Sequence, residues 1–233
     1  MKKAVKILGA ILAAAVLGMA GFVAWSLYPH ENPQPLPASL VAATSAEGME
    51  RLGRAEALAD HEPLSKSYQA QSLVSYCGVA TSVSVLGALG TKTNQTDFFT
   101  DEASRVRSRV DVMFGGMSLP ELAGLLGAYG LRVSARHADE FTLTQFRAVV
   151  ETNLTNTGDY LLVNYQREAL GQGRVGHISP LSAYDHATDS VLVMDTAAHK
   201  YPPTWVPLDL LYAGMKTTDP ASGLMRGYVE VSR

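Results

Sequence analysis

The chain has 233 residues, a net charge of −3 and an apolar fraction of 47%. No basic stripe interleaved with aromatics runs along it, so a nucleic-acid partner is excluded. Its one cysteine, Cys77, rules out an intrachain disulfide and a cysteine-based zinc finger.

The first 28 residues stand apart. "MKKAVK" supplies three lysines, and residues 7–28 then run for 22 positions without a charge. As a helix that run is ~33 Å long, enough for a hydrocarbon core of about 30 Å. The basic flank predicts a cytoplasmic N-terminus with the rest translocated. A cleaved signal peptide would use residues 7–17 as its apolar core and "GMA" at 18–20 as its cleavage site. The continuation through "GFVAWSLY", with Trp25 and Tyr28 at the interface position, favours an uncleaved anchor. Either way the remainder is expected on the extracytoplasmic, periplasmic side, tethered to the inner membrane or released from it. Residues 29–49 open on "PHENPQPLPASL", whose four prolines read as an extended tether. Residues 50–233 are enough for one domain with a sizeable core.

A short helix is expected within "AEGMERLGRAEAL". After Cys77, Val79, Val83, Leu86 and Leu89 recur at helical spacing, and Gly90 is a natural stop. "SLPELAGLLGAYG" predicts a helix with Ser118 and Glu121 as its capping box and Gly130 as its end. "TLTQFRAVVETNL" predicts another, with Leu143, Phe146, Val149, Val150 and Leu154 inward. The second half changes to strands: "YLLVNYQ", "GHISPLSAYD", "SVLVMD" and "RGYVEVS", with a helix in "VPLDLLYAGM" before the last. Helices first and antiparallel strands later define an α+β domain.

A cysteine opening a helix is placed for chemistry, because unpaired N–H groups and the macrodipole favour its thiolate. Gly78 beside it is expected to let a substrate approach the backbone. A nucleophilic thiol also needs a base, and the base needs an orienting partner. Of six histidines, His30, His61, His137, His186 and His199 sit in tether, loop or strand-end contexts. His177 opens a strand directly after the glycine-rich "GQGRVG". Folding "HISPLSAYD" and "SVLVMD" into a hairpin returns Asp195 to the end where His177 lies. Gln71, six residues before Cys77, is the candidate side-chain donor for an oxyanion, alongside the Cys77 backbone N–H.

"QSLVSYCGVATSVSVLGALG", the run from "GRVGHISP" to "TWVPLDLLYAGM", and "RGYVEVSR" closely resemble the catalytic domain of phytochelatin synthases. These are glutathione γ-glutamylcysteinyltransferases with a papain-like fold, and the resemblance covers roughly residues 50–233. It implies that Cys77, His177 and Asp195 are the catalytic triad and that Gln71 is the oxyanion residue. It also implies that Asn164, Arg167, Asp219 and Arg226 grip the γ-glutamyl end, an acid for the ammonium and an arginine for the carboxylate.

No organic cofactor is implied. Glutathione is the implied partner, cadmium or zinc would enter as a thiolate of the substrate, and a homodimer is left open. The Cys-rich C-terminal region of the long family members is absent from the sequence. The resemblance is therefore to short bacterial members, which tend toward hydrolysis of glutathione rather than polymerisation. Two alternatives use the same residues: a papain-like peptidase acting on other peptides, and a non-catalytic, membrane-tethered thiol-binding protein.

Overall fold

The computed structural model describes residues 2–233, and the side chains of all of these except 2–5 and 8–10. In chain order the helices are α1 (Lys2–Leu27), α2 (Ala46–Arg54), α3 (His61–Ser67), α4 (Cys77–Ala88), α5 (Asp101–Val106), α6 (Arg109–Gly115), α7 (Leu119–Gly127), α8 (Leu143–Thr155) and α9 (Leu208–Met215). The strands are β1 (Val41–Ala42), β2 (Arg132–His137), β3 (Asp159–Gln166), β4 (Gly176–Asp185), β5 (Ser190–Val193), β6 (Thr204–Pro207) and β7 (Gly227–Ser232). They form one sheet in the order β1-β6-β5-β4-β3-β7-β2, with antiparallel neighbours throughout. The architecture is α+β.

Side chains of a strand alternate between faces, and β3 is apolar on both. Tyr160 and Leu162 join one core with Val79, Val83 and Leu86 of α4 and Leu122, Leu125 and Leu126 of α7. Leu161, Val163 and Tyr165 join another with Phe146 and Val150 of α8 and Leu208 and Leu211 of α9. Helices thus cover both faces, which is why "YLLVNYQ" reads as a nearly continuous apolar run.

Helix α4 is rich in β-branched residues and gains little from propensity. Burial holds it instead: Gly78 through Leu86 are all buried. Its hydroxyls are satisfied locally, Ser82 donating to the Gly78 carbonyl and Ser84 to that of Ala80, each at 2.8 Å. Gly90 follows with φ +84° and Gly130 ends the turn after α7 with φ +74°, a region that favours glycine.

Among the described residues no helix is long and apolar enough to cross a membrane. Lys2 and Lys3 of the basic flank lie outside the described side chains. The proline-rich tether is docked rather than free: Asn32 and Gln34 donate from their backbone N–H groups to the carbonyls of His199 and Lys200, both at 2.9 Å. Extended, proline-rich backbone keeps just such donors unspent. Finally, "TWVP" is strand β6 paired with β5, and helix α9 begins only at Leu208, after Pro207.

Candidate active site

Cys77 is the first residue of α4, a position whose N–H has no intrahelical acceptor. The loop leading to it is tied down by Gln71 N donating to the Thr196 carbonyl (2.8 Å) and Val74 N to that of Leu27 (2.9 Å). His177 is the second residue of β4, the neighbour of β3 in the sheet. Asp195 lies just past β5, so the β4–β5 hairpin returns it to His177 Nε2 at 3.0 Å. The distance suits a hydrogen bond, but Nε2 is out of line with Asp195 Oδ1, and the contact is an ion-pair approach. With Nε2 facing Asp195, Nδ1 is the ring nitrogen left for the thiol, whose contact helps raise the His177 pKa.

The electrostatics favour an ion pair. Burial pushes the Cys77 thiol up, but the hydrogen bond and charge of His177, the Ile178 backbone N–H and the charge of Arg167 outweigh it, so its pKa lies below the ordinary value. For His177, burial and Arg167 lower the pKa, while Asp195 and the thiol bond raise it further, for a net rise. Asp195 is held well below the usual carboxylate range; burial opposes this, and His177, Arg167 and the Ala197 N–H prevail. A thiolate beside an imidazolium oriented by a carboxylate is the arrangement that nucleophilic chemistry requires.

A cleft of about 350 Å³ opens over Cys77 and His177, with Asn164, Asp219 and Arg226 in its lining. Arg226 donates from Nη1 to Asn164 Oδ1 at 2.9 Å and lies 3.3 Å from Asp219 Oδ2. Asn164 Nδ2 and Arg226 Nε are buried donors with no partner in the protein. Gly176 makes room for this cluster, since a Cβ there would sit 2.8 Å from the Arg226 guanidinium. Hollows of similar volume elsewhere contain no cysteine. Among the described residues no group of three or more His, Cys, Asp or Glu side chains is placed to hold a metal ion.

The remaining site residues are placed differently from expectation. Arg167 is only 2% exposed and does not line the cleft; its Nη2 donates to Asp195 Oδ1 at 2.8 Å. Gln71 is buried, and its Nε2 donates to the carbonyls of Leu73 (3.1 Å) and Val74 (2.9 Å), which leaves Oε1 without a partner. Gly78 does not face open space: a Cβ there would lie 2.5 Å from the Met117 sulfur. Three supporting residues carry no local signal in the sequence. Thr81 donates to the Ile178 carbonyl, Tyr165 stands edge-on to His177 at 5.8 Å, and Gln172 accepts from Arg167. Thr81 acts across a long stretch of chain, and Gln172 acts through Arg167, five residues before it.

Fold and site together describe an α+β protein with a Cys–His–Asp constellation beside a cleft that carries Asn164, Asp219 and Arg226. Residues 32–228 match the family model described as phytochelatin synthase, and the chain belongs to that family. It is 36% identical over 172 residues to glutathione gamma-glutamylcysteinyltransferase 3 of Lotus japonicus, covering 71% of this chain and 36% of the relative. It is 34% identical over 217 residues to glutathione gamma-glutamylcysteinyltransferase 1 of Triticum aestivum, covering 89% and 43%. A Schizosaccharomyces pombe glutathione gamma-glutamylcysteinyltransferase matches at 34% over 123 residues, 53% of this chain and 30% of that protein. The chain thus spans less than half the length of these curated relatives.

Proposed function

We propose that this chain cleaves the Cys–Gly amide of glutathione through a γ-glutamylcysteinyl thioester on Cys77. The observation that carries the reading is one cleft holding both the Cys77–His177 pair and the Asn164–Asp219–Arg226 cluster. An α-amino acid terminus needs an anion for its ammonium and a guanidinium for its carboxylate, and Asp219 and Arg226 offer both. The relatives' printed names point to the same substrate. A papain-like fold is part of the proposal, supported by a nucleophile opening a helix that packs on the antiparallel strand bearing the base.

Cys77 Sγ attacks the carbonyl carbon of the Cys–Gly amide, and the C–S bond forms as the carbonyl oxygen becomes an oxyanion. The Cys77 N–H stabilises that oxyanion, joined by Gln71 if its amide exchanges one of its loop bonds for the substrate. His177, oriented by Asp195, gives its proton to the nitrogen as the C–N bond breaks, and glycine leaves. Water or the amine of a second glutathione then attacks the thioester carbonyl, its proton passes to the now neutral His177, and the C–S bond breaks to free Cys77, giving γ-glutamylcysteine or a two-repeat phytochelatin. Cadmium or zinc enters as a thiolate of the substrate. The proposed setting is extracytoplasmic, a reading that rests on the basic-then-apolar order of the first 28 residues.

Incubating the chain with glutathione, with and without cadmium, and following glycine and the acyl-enzyme by mass spectrometry tests the proposal. Glycine release with an acyl adduct on Cys77 is expected, and faster release from glutathione than from a panel of ordinary peptides. Glycine release by Cys77→Ser at the wild-type rate would overturn it.

A further inference from the structure

Arg167 spends its guanidinium inside the protein. Nη2 donates to Asp195 Oδ1 at 2.8 Å, Nη1 donates to Gln172 Oε1 at 2.7 Å, and the group lies 5.0 Å from the centre of the Tyr201 ring. The same Asp195 oxygen accepts from Ala197 N at 2.9 Å and faces His177 Nε2 at 3.0 Å. We propose that Arg167 is a positioning residue for the reactive thiol: it fixes Asp195 and supplies the cation that makes the Cys77–His177–Asp195 group, with His177 and Asp195 buried, electrically neutral. This extends the reading above, although the thiol chemistry tested below does not depend on the identity of the substrate.

The physical case is a sum of charges. Thiolate, imidazolium and carboxylate together carry −1, and Arg167 brings the set to zero. His177, Asp195 and Arg167 are each no more than 5% exposed, so little water is available to screen an excess charge. An uncompensated charge is far more costly there than at the surface.

The other polar groups around the set do not replace it. Tyr165 is neutral, with burial pushing its phenol up, and Tyr68 faces the Asp195 carbonyl at 2.6 Å with a phenol raised to about 12. Burial lowers the pKa of His199, the nearest other imidazole, which keeps it neutral. Across the cleft, Asp219 and Arg226 form their own pair. Tyr201 contributes only its ring face. Arg167 is the fixed cation on the Asp195 side. Removing it withdraws a stabilising charge from the thiolate and a repelling one from the imidazolium, so both proton losses move to higher pH.

The test uses the full chain with Arg167→Met, Arg167→Lys and Gln172→Leu, and reads the rate of Cys77 alkylation by iodoacetamide against pH, by intact mass. Arg167→Met is expected to move the profile up by about 1 pH unit. It should also lower kcat for glycine release about 10²-fold while KM stays within twofold. Arg167→Lys, which keeps the charge and loses the fork, should restore most of the pH profile. Gln172→Leu should move it slightly in the Met direction.

An unmoved profile in a cooperatively folding Arg167→Met overturns the proposal, as does a raised KM with kcat and profile retained, the signature of a substrate contact. If Arg167→Met does not fold, an unmoved profile in Gln172→Leu overturns it. A shifted profile together with a wild-type chain that releases no glycine upholds the role of Arg167 and removes the glutathione reading.

Discussion

Thr81 Oγ1 donates at 3.1 Å to the carbonyl of Ile178, the residue that follows His177 on β4. The strand position next to His177 is thereby stitched to the helix that Cys77 opens. Thr81 is fully buried, so its hydroxyl has no water to turn to. Thr81→Val should cost about 1–3 kcal/mol in denaturant unfolding, because it leaves a buried carbonyl short of a donor. Glycine release should fall with it, and Thr81→Ser should retain most of both.

Because the net effect on Cys77 is a lowered pKa and that on His177 a raised one, the ion pair spans the interval between them. Wild-type alkylation should therefore stay fast well below the usual thiol midpoint of about 8.5. His177→Ala removes the two contributions that oppose burial most strongly. Its alkylation midpoint should rise to or above the ordinary thiol value, read from the same rate-against-pH curve.

Arg226 and Gly176 are predicted to fail in the same way. Arg226→Met deletes the group proposed to hold the substrate carboxylate, and Gly176→Ala places a methyl 2.8 Å from the guanidinium. Both should raise KM for glutathione about tenfold or more while leaving Cys77 alkylation unchanged, since neither touches the thiol. Initial rates over a range of glutathione concentrations decide this.

Gln71 presents a choice between a loop brace and an oxyanion donor, because its Nε2 is engaged with Leu73 and Val74. Under the proposed mechanism Gln71→Ala lowers kcat about 10²-fold with little change in KM. A brace alone would instead lower the unfolding midpoint and spare kcat in the folded fraction.

Asp60 predicts a pH effect far from the cleft. It is fully buried, neither carboxylate oxygen has a partner, and burial followed by repulsion from Asp159 pushes its pKa to about 8. The folded chain keeps this proton up to pH about 8, whereas the unfolded chain releases it near pH ~3.9. Between those values the folded state binds more protons, so this group makes stability fall as pH rises, by about 1.4 kcal/mol per unit at most. Asp60→Asn should flatten that slope and be more stable than wild type at pH 8, measured by urea unfolding at pH 5 and pH 8.

The legible parts of the chain were those with short-range causes. The capping box at Ser118 and Glu121 forms, because its partners lie three residues apart. The hairpin that brings Asp195 to His177 was readable because its turn is local and its strands alternate clearly. Strand β2, "RVSARH", was not readable. It is largely exposed and takes its strand character from six paired positions on β7, which lies ninety residues later in the chain. Helices α3, α5 and α6 are short and held by neighbours, so periodicity has too few turns to register.

By itself the sequence brought together one candidate nucleophile, a candidate base and the acid behind it, since a lone cysteine at a helix start and a His–Asp hairpin are local patterns. Only the tertiary structure decided where Arg167 acts. The family resemblance implied a substrate clamp, but Asp195, 28 positions later in the chain, returns to it, and a buried carboxylate claims the nearest guanidinium. It also decided that the proline-rich segment lies against the loop carrying His199 and Lys200, where backbone donors find acceptors that sequence alone does not name. Long-range pairing follows from which groups are left unsatisfied once the core is packed, and that is a property of the whole fold.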